Sequence, residues 1–209
     1  MYAILPRLST ALSLVLISAG ACAQTSPSTF IGHELGDAFT RHHLVVDYVE
    51  HMAQEVSHWQ LTEYGTTSEG RPLLGLIMSS PENMARLEEL KADNMRRVNE
   101  GVDSGDRVVW VYLSYNVHGN EAVCTEAAMA TIEALATTHA HLLERTVVVM
   151  DPCVNPDGRD RYVHFQDRSN GPRPNADPQA WEHDEPWPDF EALAARESLK
   201  RPRRAKSLS

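Results

Sequence analysis

The sequence predicts an α/β fold, a mixed and largely parallel sheet flanked by helices. Residues 107–115 and 146–150 are apolar runs rich in β-branched and aromatic side chains, and an Ala-, Met- and Leu-rich stretch at 122–136 separates them. That strand–helix–strand order implies a parallel pair joined by a crossover helix in a sheet covered on both faces. Upstream, two short extended runs, 61–64 and 73–78, flank the segment from Gly65 to Arg71 and suggest a β-hairpin. Further upstream, Phe39, Leu44, Val45, Tyr48, Val49, Met52 and Val56 recur at the spacing of one helix face.

The remaining elements follow in order. Arg7, a short apolar run holding Leu12, Leu14, Val15, Leu16 and Ile17, and small residues at Ala19, Ala21 and Ala23 read as a signal peptide over 1–23. Cleavage after Ala23 would leave Gln24 as the mature N-terminus. The alternative is a lipoprotein, with a lipid anchor at Cys22 after Ala19-Gly20-Ala21. Either way the chain is expected to be exported, periplasmic or secreted. The apolar run is too short to span a bilayer comfortably, so no transmembrane helix is expected in the mature chain. Residues 24–36 are rich in Ser, Thr, Pro and Gly and read as a flexible leader. A helix is expected over 37–59, and a second over 81–100, with Pro81 in its first turn. Residues 166–189, rich in Pro, Asn, Asp, Arg and Trp, read as irregular surface loop. The segment 189–209 carries six Lys/Arg against three acids, an atypical basic tail on an acidic protein.

Composition narrows the function classes. The 209 residues are 42% hydrophobic and 23% charged, the make-up of an ordinary globular protein with a sizeable core. A formal net charge of −10 argues against a nucleic-acid partner. Three cysteines do not make a disulfide framework. Cys22 belongs to the export signal. Cys124 and Cys153 either pair in an oxidising compartment or remain small buried thiols.

Chemistry concentrates in the loops that follow the two central strands, the edge where α/β folds place their sites. In Asn116-Val117-His118-Gly119-Asn120-Glu121, the His and Glu three residues apart project to the same side of one turn. Imidazole and carboxylate are good zinc ligands, and Gly119 lets the backbone bend between them. The plainer reading is a polar loop with a Glu at a helix N-terminus. Asn155-Pro156-Asp157-Gly158 follows the next strand and reads by itself as a turn. The adjacent Arg159-Asp160-Arg161 offers guanidinium groups that could grip a carboxylate, or a solvated charged loop.

Three segments in this order resemble the zinc carboxypeptidase family of the carboxypeptidase A/B type. They are Tyr64-Gly-Thr-Thr-Ser-Glu-Gly-Arg-Pro-Leu73, His118-Gly-Asn-Glu121 and Asn155-Pro-Asp-Gly158. The resemblance implies that 37–188 is the N-terminal part of a zinc carboxypeptidase-like domain. It implies Zn2+ held by His118, Glu121 and a third His, and a metal-bound water of lowered pKa. It also implies a Glu general base and Arg groups for the terminal carboxylate of a peptide or protein substrate. Arg168 is the candidate for one such substrate-binding Arg.

The rest of the family pattern has no counterpart here. No Asn-Arg pair follows Gly158, His164 and His183 fall too early for the third ligand, and no general-base Glu is identified. The sequence therefore suggests a truncated or frame-shifted copy whose C-terminal part is missing, with weak or no peptidase activity. Two alternatives stand beside it: a zinc-dependent deacylase of N-acyl amino acids, and a non-catalytic exported binding protein.

Overall fold

The computed structural model describes residues 24–102, 105 and 108–169. The segment expected as a signal peptide, with the expected anchor site at Cys22, and the expected basic tail lie outside the described residues, as does His183. Six α-helices, α1 (Pro27–Ile31), α2 (His42–Glu55), α3 (Pro81–Ala85), α4 (Leu87–Glu100), α5 (Val123–Ala136) and α6 (Pro156–Ser169), accompany four strands among the described residues. The strands are β1 (Gln60–Thr66), β2 (Pro72–Met78), β3 (Val109–Ser114) and β4 (Thr146–Asp151), and they lie side by side in the order β1-β2-β4-β3. The fold is mixed α/β. β3 and β4 pair in parallel, whereas β1/β2 and β2/β4 are antiparallel, so the parallel part of the described sheet is confined to one pairing.

Alternation along the strands divides the core into two layers. Leu74, Leu76, Met78, Val148, Met150, Val111 and Leu113 face α2 and α5, whose Val45, Tyr48, Val49, Met52, Met129 and Ile132 fill that side. Ile77, Val147 and Trp110 face the other way, onto Met84, Leu87 and Leu90 of α3 and α4. β4 is central and buried at Val147, Val148 and Met150, as an apolar β-branched run between two neighbours must be.

Several expected elements come out differently. The helix expected over 81–100 is broken at Arg86 (φ −121°, ψ 26°), which ends α3 and starts α4. The segment 24–36, expected as a flexible leader, carries α1. Ser26 caps it by accepting from the Thr29 amide, and Pro27 occupies its first turn. Thr25 ties the segment down, donating its amide and its hydroxyl to the Glu55 carboxylate, each at 2.9 Å. Asn155-Pro-Asp-Gly158 is not a free turn but the start of α6. Asn155 accepts from the Gly158 amide at 2.9 Å and Pro156 sits where a helix needs no amide donor. α6 then runs into the stretch expected to be loop from residue 166. Cys124 and Cys153 are unpaired thiols, Cys153 buried at the end of β4 and Cys124 half-buried on α5.

Candidate metal-ligand loop

The three motif segments converge at the carboxyl ends of β3 and β4. The loop between β3 and α5 turns at Asn116, the one described non-glycine residue with positive φ (57°). Asn tolerates this left-handed conformation because its short amide bonds locally. The Asn116 side chain is buried, accepts from Thr125 Oγ1 at 2.7 Å and donates to the His118 carbonyl at 2.6 Å. The Glu121 amide then donates to the same carbonyl at 3.1 Å, closing a single turn. Within that turn His118 Nδ1 lies 3.2 Å from Glu121 Oε2, and the two side chains are 72% and 52% exposed. Two metal-type donors thus share one side of the turn and face outward.

α6 presses on this loop from behind. Asn155 Nδ2 donates to the Val117 carbonyl at 3.1 Å. Gly119 meets Gly158 backbone to backbone, so closely that a Cβ on Gly119 would lie 2.2 Å from the Gly158 carbonyl carbon. Gly119 requires glycine for this reason of space, and a Cβ on Gly158 would instead press on the Asn155 side chain, 2.6 Å from its Nδ2. The hairpin turn docks on the same helix. Thr67 Oγ1 donates to Asp157 at 2.7 Å, and the Glu69 amide donates to Asp157 at 3.2 Å. Arg71 pairs with Asp157 at 2.7 Å and with Asp160 at 2.9 Å.

The arginines of the Arg159-Asp160-Arg161 cluster do not reach out for a substrate. Arg159 is fully buried and paired with Glu126 at 2.7 Å. Arg161 pairs with Glu69. Burial of a guanidinium is tolerable only with such partners. Arg168 falls in the last turn of α6. His164 is exposed on the same helix. Among the described residues, no group of three or more His, Cys, Asp or Glu side chains is arranged to hold a metal ion.

The loop's partners were not visible in the sequence: Asn116, Thr125 and Glu126, which are buried, and Asn155, which is half-buried. Only Asn155 had a local signal, an Asn before a Pro at a helix start. Also unforeseen was Tyr64, displaced at the register shift of β1, whose hydroxyl donates to Asp151 at the end of β4. Burial holds the Asp151 carboxyl above its ordinary range, against the hydrogen bonds from Tyr64 and the Cys153 amide that pull it down. A cavity of about 370 Å³ lined by His58, Trp59, Glu82, His141 and Glu144 opens at the opposite end of the strands, remote from His118.

Comparison with known proteins agrees with the motifs. The zinc carboxypeptidase family profile matches residues 45–190, and the chain belongs to that family. Human carboxypeptidase D is 28% identical over 134 residues, which cover 59% of this chain and 8% of that protein. Among solved structures, carboxypeptidase A from Helicoverpa armigera superposes with a TM-score of 0.45 at 20% identity, covering 68% of this chain and 29% of that one. Bovine thrombin-activatable fibrinolysis inhibitor in complex with tick carboxypeptidase inhibitor gives 0.45 at 16% identity, covering 62% and 35%. The chain thus spans a small share of the length of these relatives.

Proposed function

We propose that this chain is the N-terminal part of a zinc metallocarboxypeptidase domain, a protein that hydrolyses C-terminal residues from peptides. His118 and Glu121 supply two of its metal ligands. The observation that carries this reading is the pairing of His118 Nδ1 and Glu121 Oε2 at 3.2 Å, exposed at the carboxyl end of a parallel strand. The donor types suit zinc, which takes imidazole nitrogen and carboxylate oxygen. Zinc, when bound, would lower the pKa of a water ligand and polarise a scissile carbonyl. Sites of this kind use three protein ligands. The described residues bring two together, so a third must come from outside them, and activity from this chain alone is expected to be weak or absent. Export through the 1–23 signal, with Gln24 as the mature N-terminus, is part of the same proposal. Arg168 is retained as a proposed contact for the substrate carboxylate.

The test is release of free amino acids from a panel of peptides by the full chain, with and without zinc. N-acyl amino acids run in parallel. Release from peptides at or barely above the buffer rate, abolished by Glu121→Ala wherever it is measurable, is the expected result. Zinc-dependent peptide turnover at ordinary enzyme rates, on the order of 1 s⁻¹ or more, would contradict the incomplete site. Zinc-dependent cleavage of the N-acyl amino acids alone would contradict the choice of substrate.

A further inference from the structure

The Glu126–Arg159 ion pair is buried, at 5% and 0% exposure, and its hydrogen bonds run to Thr40, Asn116 and Ala122 rather than to the outward-facing donors. Its hydrogen bonds are distributed in a telling way. Arg159 Nη1 donates to Asn116 Oδ1 at 3.3 Å and also to the Ala122 carbonyl. Nη2 donates to the Thr40 carbonyl at 2.8 Å and to Glu126 at 2.7 Å. Glu126 in turn accepts from the Thr40 amide and hydroxyl at 2.8 and 2.7 Å. One guanidinium therefore grips the loop just before Val117 and just after Glu121, the two ends of the segment bearing His118 and Glu121.

Stability alone is a poor reason for such a pair. Removing two charges from water is costly, and a buried pair can often be exchanged for apolar groups of similar volume without loss of stability. What an apolar pair cannot do is hold two separate loop acceptors at fixed positions. Lysine cannot do it either, because an ammonium is a point donor while the planar fork reaches several acceptors at once.

We infer that Arg159, held by Glu126, is a positioning residue that pre-forms the His118/Glu121 turn before any metal arrives. The inference rests on the metal-ligand reading for its purpose, but the pre-forming itself is a property of the metal-free chain. Residues behind metal ligands commonly change affinity by about 10- to 100-fold when replaced. The Glu126–Arg159 pair acts through the residues that flank the turn, the Asn116 side chain and the Ala122 carbonyl, and not on the ligands themselves, so its loss is expected at the lower end of that range.

The experiment uses the full chain, the paired variant Glu126→Gln/Arg159→Met and the milder Arg159→Lys. Asn83→Ala on α3, which removes hydrogen bonds to Ser79 and to the Leu143 and Glu144 carbonyls, away from the loop, is the destabilised control. Amide hydrogen exchange over 117–121 is measured without metal, and affinity for Zn2+ alone by calorimetry. Faster exchange confined to 117–121 in both Arg159 variants is expected, together with a roughly tenfold or greater loss of zinc affinity. The control should show neither. Unchanged exchange over 117–121 in a folded Arg159 variant would overturn the inference, as would equal changes in the control. Should the paired variant fail to fold, Arg159→Lys decides alone. If the unaltered chain takes up no zinc, the metal-ligand reading fails, and the exchange measurement still judges the positioning role.

Discussion

Acidification should destabilise this protein through His42, the first residue of α2. Its side chain is 5% exposed among Val45, Val46, Val49, Leu74 and Pro72, and neither ring nitrogen has a hydrogen-bond partner among the described residues. Burial is the main cause that lowers its pKa from 6.5 to about 4, with Asp160 and Asp157 opposing and Arg159 and Arg71 assisting. In the unfolded chain the imidazole titrates near its ordinary value. The folded pKa is the lower one, so between these values the unfolded chain binds the extra proton. Stability is therefore complete above the unfolded value and is lost as the pH falls towards the folded one. One pKa unit corresponds to about 1.4 kcal/mol, so the full shift is worth about 3 kcal/mol. Roughly 1.4 kcal/mol of that should already be lost by about pH 5.5. Asp151, whose pKa is raised, acts with the opposite sign. A comparison with His42→Leu cancels it. Urea unfolding at about pH 7.5 and 5.5 should show the gap between the two proteins changing by roughly 1.4 kcal/mol in favour of His42→Leu at the lower pH. Parallel pH profiles would refute a neutral, desolvated His42.

Other consequences are direct. Gly119→Ala drives a Cβ against the Gly158 backbone, which cannot swing aside like a side chain, so a loss of about 3 kcal/mol or more is expected by thermal or urea unfolding. Asn83 donates to Ser79 Oγ, the Leu143 carbonyl and the Glu144 carbonyl, each at 3.0–3.1 Å, and Asn83→Ala should cost about 1–3 kcal/mol in the same assay. Cys153 is buried and its thiol is pushed up to about 12, chiefly by burial, so the native protein should label with iodoacetamide at Cys124 and not at Cys153. Peptide mapping by mass spectrometry reads that difference, and denaturation should abolish it.

The parts of the fold that announce themselves in sequence are those governed by local periodicity. The face Val45, Tyr48, Val49 and Met52 of α2 and the short apolar run that becomes β2 depend on neighbours within a turn or a pleat, whereas the alternating burial along β2 appears only in the fold. The His118/Glu121 pairing was legible for the same reason, being three residues apart on one turn. Arg159 was not. Its partners Thr40, Asn116 and Glu126 lie 119, 43 and 33 residues away, and a local window shows only a charged cluster. In the Asn155-Pro-Asp-Gly158 segment the same residues serve a turn and a helix start, and only the docking of α6 against the loop and hairpin decides between them. α1 was missed despite Ser26 and Pro27, because its order depends on Glu55 across the chain. The break at Arg86 carries no Gly or Pro and had no local signal.

The most direct measurement is the response of the histidine ring nitrogens to added Zn2+, followed by ¹⁵N NMR on the full chain. The sequence has ten histidines. If His118 and Glu121 form the protein side of a zinc site, the His118 ring resonances shift first, and Glu121→Ala suppresses the shift. Zinc uptake that leaves His118 unmoved while other histidines respond would contradict the assignment of this turn as the metal-ligand loop.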